Sequence, residues 1–400
     1  MDNSIHKKLL VTCFIGVLYS LNIFACRYTV REIGFSDIGS IPYILYIYTK
    51  SDMSEIDNSK IKKLSYALLF ETNIKLEIIN IDKERDSITQ YYLNKYNIHS
   101  FPSALFVSPY GESMICSLNY PGRSFDESVW LLLENLASST IRNSITDMLL
   151  RSYCIVLMVE GKDARKNENT LNEAKEAISE ISGLLDQMPK VVNSQPGILV
   201  ISHEKIHEEK ILLMSLGIKA EKVDEPAIAI IYGRGRIIGP VLQGEQITQK
   251  RLFNLLSVVG ADCECGLDQS WILGRMIPLR WESSVQSELV QFLGFDVENP
   301  LVKSEMSQIL SVKPTPDNRL DPMADNLLGY SEGKIIIEKS TESVSKISAY
   351  EIRKSFYQTK PSKDNLVFRS ILITIGGILL IVLAFGVFLF IKHKRKNIKQ

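Results

Sequence analysis

Between residues 38 and 262 short apolar runs alternate with stretches whose apolar residues recur at helical spacing. Ile41–Thr49, rich in Ile and Tyr, reads as a buried strand. Over residues 57–70, Ile61, Leu64, Ala67 and Leu68 line one face of a helix. Residues 76–81 form a second strand, 88–96 a short helix and 103–107 a third strand. The turn Pro109-Tyr-Gly111 leads to a fourth strand at 114–118, and a helix over 125–137 completes the series. The order is strand, helix, strand, helix, strand, strand, helix.

The same order then recurs. Strands are expected at 153–160 and 197–202, with a long helix over 169–187 between them. A helix at 208–216 follows, then a strand headed by Pro226, the turn Gly233-Arg-Gly-Arg, a strand at 237–242 and a helix at 249–259. Degenerate copies of one unit explain this better than one large domain. Beyond Cys265 the pattern weakens to two short helices, 284–293 and 301–310.

The first unit carries a resemblance. Lys75-Leu-Glu-Ile-Ile-Asn-Ile-Asp82, Tyr96-Asn-Ile-His-Ser-Phe-Pro102-Ser-Ala-Leu-Phe and Gly111-Glu resemble the latter half of a thioredoxin domain. The resemblance implies an α/β chain of two tandem thioredoxin-like domains. It also implies a cis peptide bond before Pro102 and, by the parallel between the copies, before Pro226.

Both ends carry other signals. Residues 1–25, basic and then apolar up to Ala25, have the layout of a secretory signal peptide, with an uncleaved anchor as the alternative. Ile371–Ile391 is an uncharged run of the length a bilayer core requires, and Lys392, Lys394, Arg395, Lys396 and Lys399 follow it. A single C-terminal transmembrane helix with a cytoplasmic tail is therefore expected, and the membrane is an expected partner. The expected divisions are 1–25 signal peptide, 38–140 and 150–262 thioredoxin-like domains, and 263–311 a short helical extension. Residues 312–366 are expected as linker and stalk, 371–391 as the span and 392–400 as the tail. No Asn-x-Ser/Thr acceptor occurs, which favours a bacterial envelope over a eukaryotic secretory pathway. Ile23-Phe-Ala-Cys26 loosely resembles a lipobox, making Cys26 a lipidation candidate, although Phe24 departs from the small residue preferred there.

Lys+Arg and Asp+Glu both total 46, so no basic excess points to a nucleic-acid partner. Redox thioredoxins carry Cys-x-x-Cys at the start of the first long helix, where the helix N-terminus stabilises a thiolate. Here the corresponding windows read Lys50-Ser-Asp-Met-Ser-Glu55 and Gly161-Lys-Asp-Ala-Arg165. The family's activity does not carry over to positions without a nucleophile. Cys116 and Cys154 fall within expected strands and read as buried thiols. Cys263-Glu-Cys265 stays open between structural thiols, a strained and reducible disulfide, and metal ligation.

His203-Glu204-Lys-Ile-His207 matches the H-E-x-x-H string of zinc proteases, with Glu221 and Glu225 as third-ligand candidates. The string begins where a strand ends, so His203 is expected outside the helix and the site is a weak candidate. Trp271 and Trp281 bracket an apolar segment expected to pack on its own domain, with a small partner-binding surface as the alternative. No cofactor is expected. The expected function is a membrane-anchored extracytoplasmic protein whose redox-inactive thioredoxin-like domains bind or scaffold an envelope protein partner. The alternative is a thiol–disulfide oxidoreductase using Cys263 and Cys265.

Overall fold

The computed structural model describes residues 27–311, apart from 85, 189, 191, 193 and 263–271. The signal segment, Cys26, Cys263, Cys265, Trp271, the linker, the 371–391 span and the basic tail lie outside the described residues. Among the described residues no helix is long and apolar enough to cross a membrane.

Two four-stranded sheets organise two lobes. In the first lobe, β1 (Tyr43–Thr49) is followed by α2 (Glu55–Leu69), α1 (Val30–Phe35) having come before it. Then come β2 (Ile74–Asn80), α3 (Ser87–Lys95), β3 (Ser103–Val107), β4 (Ser113–Cys116) and α4 (Phe125–Ala137). The strand order is β2-β1-β3-β4. β1 runs parallel to β2, from Tyr43↔Ile74 to Thr49↔Asn80, and antiparallel to β3. A parallel pair needs a crossover, and α2 supplies it.

Every residue of β1 is buried, so alternate side chains feed two cores. Tyr43, Leu45 and Ile47 pack with Phe106 against Ile61 of α2 and Val129, Leu132, Leu133 and Leu136 of α4. Ile44, Tyr46 and Tyr48 pack with Leu105 and Val107 against Tyr92 of α3. Side-chain oxygens of Ser54, Asp86 and Ser124 cap the starts of α2, α3 and α4. At the last of these, Glu127 completes a capping box with Ser124.

After α5 (Thr140–Arg151) the plan repeats. β5 (Ile155–Val159), α6 (Ala164–Ser182), β6 (Gly197–Ile201) and α7 (Lys210–Ser215) lead to β7 (Ala227–Tyr232), β8 (Arg236–Gln243) and α8 (Gln249–Val259). The order β6-β5-β7-β8 matches the first sheet strand for strand, with β5 again parallel to one neighbour and antiparallel to the other. The fold is thioredoxin-like in both lobes. α9 (Ser283–Leu293) and α10 (Pro300–Ser311) follow.

The Phe101–Pro102 bond is cis. The Glu225–Pro226 bond is not, and the expectation of a second cis proline is corrected. In the second lobe the backbone of residues 224–226 lies directly on Gly161, and the Asp224 carbonyl accepts the Lys162 amide proton at 3.0 Å.

Residues 28–36 pack on the second lobe although they precede the first. Tyr28, Val30, Ile33 and Phe35 belong to the core that contains β5 and β7. Gly34 lies against Gly233 so closely that a Cβ on Gly233 would stand 2.2 Å from the Gly34 carbonyl carbon. Gly233 and Gly235 take φ of 55° and 74° in the β7–β8 turn, the left-handed region that favours glycine.

Residues 272–281 stitch the lobes together. Ile277 donates its amide to Gly235 O at 2.9 Å, and Ile237 donates to Arg275 O at 2.7 Å. On the first lobe, Tyr43 donates its hydroxyl to Met276 O, and Asn73 brackets the strap by donating to Ile277 O and accepting from Leu279. Ile272, Met276, Leu279 and Trp281 are all buried, so this segment packs on the protein itself.

Three buried arginines fasten these joints. Arg31 donates to the carbonyls of Ser152 and Tyr153, and Arg142 to those of Leu136, Ser138 and Pro278. Arg236 donates to Gly34, Ser36 and Ile38. Desolvation pushes the Arg142 guanidinium down to about 10, and it also lowers Arg31 and Arg236. Carbonyl dipoles therefore carry much of the hydrogen bonding of these buried charges.

Candidate functional site

In a thioredoxin-like lobe the start of the helix after the central strand faces the loop that precedes the third strand. In the first lobe these are Lys50–Ser54 and Phe101–Pro102. The Ser51 amide donates to Asp82 Oδ2 at 2.8 Å, and Ser54 Oγ accepts the Asp57 amide proton at 3.0 Å. Lys50 Nζ sits 5.2 Å from the centroid of the Phe101 ring. Met53 turns inward onto the core shared by α2 and α4.

The second lobe closes the equivalent place. Asn167 clamps Gly161, donating to its carbonyl at 3.0 Å and accepting its amide proton at 2.8 Å. A Cβ at Gly161 would lie 2.6 Å from Asp224 O. Asp163 caps α6 through the amides of Arg165 and Lys166. Lys162 pairs with Asp224 at 2.7 Å and Lys166 with Glu225 at 2.6 Å, so two lysines staple the helix start to the loop before β7. The Lys162 bond holds the Asp224 carboxyl below its ordinary value. Both pairs are exposed and contribute little stability, but they occupy the approach.

Neither helix start presents a thiol. Cys116, on β4, is half-buried, and burial pushes its thiol up to about 12. Cys154, one residue before β5, is fully buried and pushed higher for the same reason. At neutral pH neither supplies a thiolate.

The H-E-x-x-H string does not place its histidines on one helical face. His203–Lys205 is a 3₁₀ turn directly after β6, and α7 begins only at Lys210. The His203 amide donates to Glu160 Oε2 at 3.2 Å, while Glu204 and His207 are exposed. Glu221 lies in a separate turn, Ala220–Lys222, and Glu225 is engaged by Lys166. Among the described residues no three His, Cys, Asp or Glu side chains gather as a metal site.

One surface escaped the sequence reading. Trp130 on α4 is 45% exposed and lines an open groove of about 640 Å³ between α2 and α4. The signal was available, because the buried positions of α4 (Val129, Leu132, Leu133, Leu136) form one stripe and Trp130 falls off it.

No family model matches the sequence, and neither does any curated protein. Among solved structures, the chain is similar to the zinc-bound form of human ERp44, at 12% identity over 58% of this chain and 60% of that one, with a TM-score of 0.21. It is similar to the first two thioredoxin domains of Saccharomyces cerevisiae Eps1p, at 11% identity over 50% of this chain and 85% of that one, with a TM-score of 0.19. For a crystal form of ERdj5 the identity is 11% over 54% of this chain and 27% of that one, with a TM-score of 0.19. The chain thus spans about 60% of the length of ERp44 and 27% of that of ERdj5. The thioredoxin-like description rests on strand order, pairing sense and helix placement within this chain.

Proposed function

We propose that this chain is an exported, membrane-anchored protein whose thioredoxin-like lobes bind or scaffold a protein partner and carry out no thiol–disulfide exchange. The observation that carries the proposal is the absence of a thiol from both helix starts, together with the burial of Cys116 and Cys154. Export and anchoring are inferred from residues 1–25, the apolar run 371–391 and the basic tail, and a bacterial envelope from the lack of glycosylation acceptors.

The test is catalysed reduction of insulin-like disulfides by the full chain and by a Cys263→Ser/Cys265→Ser variant. Neither should turn over. Robust wild-type activity lost in the double variant would overturn the proposal and establish an oxidoreductase using that pair. Topology is tested separately. A reporter after Gln400 should be active only in the cytoplasm, and protection of residues 26–369 from external protease in intact cells would contradict the orientation.

A further inference from the structure

Nine large apolar side chains are exposed among the described residues, and four of them belong to α2, its C-terminal cap or α4, with only Trp130 among these four lining the groove. Ile56 and Tyr66 lie on α2, Phe70 is its C-terminal cap residue, and Trp130 lies on α4. Helical spacing places Ile56, Lys63, Ala67 and Phe70 in one outward stripe, opposite the buried Ile61, Ser65 and Leu69. Beside that stripe, Leu64, Trp130 and Leu131 form the apolar part of the groove between the helices.

The charges at the groove are mostly committed. Lys60 reaches across to Asp126 at 2.8 Å, and Arg123 lies 4.0 Å from Glu127 on its own side. Lys63 also lines the groove, and among the described residues it forms no ion pair. The rim therefore presents one uncompensated cation beside a half-exposed indole. Exposed aromatic surface in a recess, edged by a single charge, suits one ordered protein ligand. A membrane surface would call for several free cations, and here only one is free.

We propose that the α2/α4 groove of the first lobe docks an amphipathic helix of a partner protein, with large apolar residues spaced three and four apart and a carboxylate that meets Lys63. Two parallel helical ridges accept a third helix along their groove, and its length is set by α2, 15 residues, and α4, 13 residues. This inference rests on the binding-module reading and names the surface that reading lacks. The thioredoxin helix starts are not part of it.

The experiment uses a displayed library of 14-residue helical peptides, with Leu, Phe or Trp fixed at the inward positions and the flanks randomised. It is selected on the full-length detergent-solubilised protein. Selected flanks should be enriched in Asp and Glu, and Trp130→Ala should weaken the winning peptides about 30-fold. Lys63→Glu should weaken them about 5-fold, and selection repeated on that variant should recover Lys and Arg flanks. Lys63 is exposed and Trp130, half-exposed, lies off the buried stripe of α4, so unfolding curves should stay close to wild type, which separates lost docking from lost fold. Peptides without charge preference, or unaffected by Trp130→Ala, would overturn the proposal. So would Trp130-dependent binding of phosphatidylserine vesicles with no peptide selected. Such a failure alongside absent disulfide turnover would remove the groove and leave the binding-module reading standing.

Discussion

The two lobes share strand order and pairing sense and are held together differently. The first keeps a separate core on each face of its sheet, built almost wholly from residues 43–137. The second is one continuous core that takes in residues 28–35 from the start of the described chain and Leu289, Val297, Met306 and Leu310 from its end. The helix starts differ in the same sense. In the first lobe a lysine lies over an aromatic ring, whereas in the second a glycine, an asparagine clamp and two ion pairs shut the position. One topology thus tolerates a self-sufficient version and a version completed by distant segments. In the self-sufficient lobe Trp130 stays half-exposed beside the groove between α2 and α4.

The strongest challenge to that contrast is Phe35→Ala. Phe35 is fully buried, and the truncation should cost about 3–5 kcal/mol. Amide exchange should show lost protection in β5 and β7 while β1 and β3 stay protected. A loss confined to the first lobe would break the comparison. Arg236→Met should come next, at about 3 kcal/mol, because it strips the donor from the buried carbonyls of Gly34 and Ser36 and the part-buried one of Ile38. Chemical denaturation would measure it, and Arg236→Lys should recover only part, since an ammonium cannot reproduce the guanidinium fork.

Gly161→Ala sharpens the comparison of helix starts. Its methyl would meet the Asp224 carbonyl, so thermal melts should show a loss of about 1–3 kcal/mol. Ser51→Ala, at an exposed position in the first lobe's counterpart, should stay within about 0.5 kcal/mol. Equal effects would mean that the two helix starts are not differently packed.

Alkaline pH gives a smaller effect of known sign. The Cys116 thiol, raised by burial to about 12, stays protonated in the folded state while an unfolded thiol ionises near about 8.5. Its contribution is complete below the unfolded value and is lost as pH climbs toward the folded one. Stability should therefore fall more steeply with pH in wild type than in Cys116→Ala over that window. Identical slopes would show that Cys116 ionises as freely in the fold as in the open chain. The smallest change is expected from Tyr48→Phe. The Tyr48 hydroxyl is buried with no hydrogen-bond partner among the described residues, so denaturant midpoints should be unchanged or slightly raised. A clear loss would reveal a polar contact in the first core.

Much of the architecture was legible in the apolar pattern. The strand at 103–107 and the helices at 125–137 and 249–259 stand where hydrophobic periodicity placed them. α5 was missed although Ile141, Ile145 and Leu149 recur every fourth residue. Its buried face also holds Arg142 and Thr146, which read as solvent-facing in a sequence. α1 spans only six residues and buries Arg31 and Glu32, too short and too polar for periodicity to register. The turn at Gly233 was foreseen as a turn, but Arg236 three positions on was not foreseen as an anchor. Backbone carbonyls from residues 34–38 cage it, and a carbonyl cage leaves no mark in the residue alphabet. The groove beside Trp130 was missed because exposure is decided by tertiary packing.

The docking of residues 28–36 on the second lobe also sets a schedule for synthesis. Arg236 lies 202 positions after Gly34, whose carbonyl it holds. At ribosomal rates that separation is roughly 10–40 s, ample for the first lobe to fold behind the arm before the arm's own seat exists. Through that interval Val30, Ile33 and Phe35 are sticky and unclaimed. A chaperone acting on the nascent chain would find its target there, ahead of a lobe already folded, and would have to release it once β7 and β8 emerge.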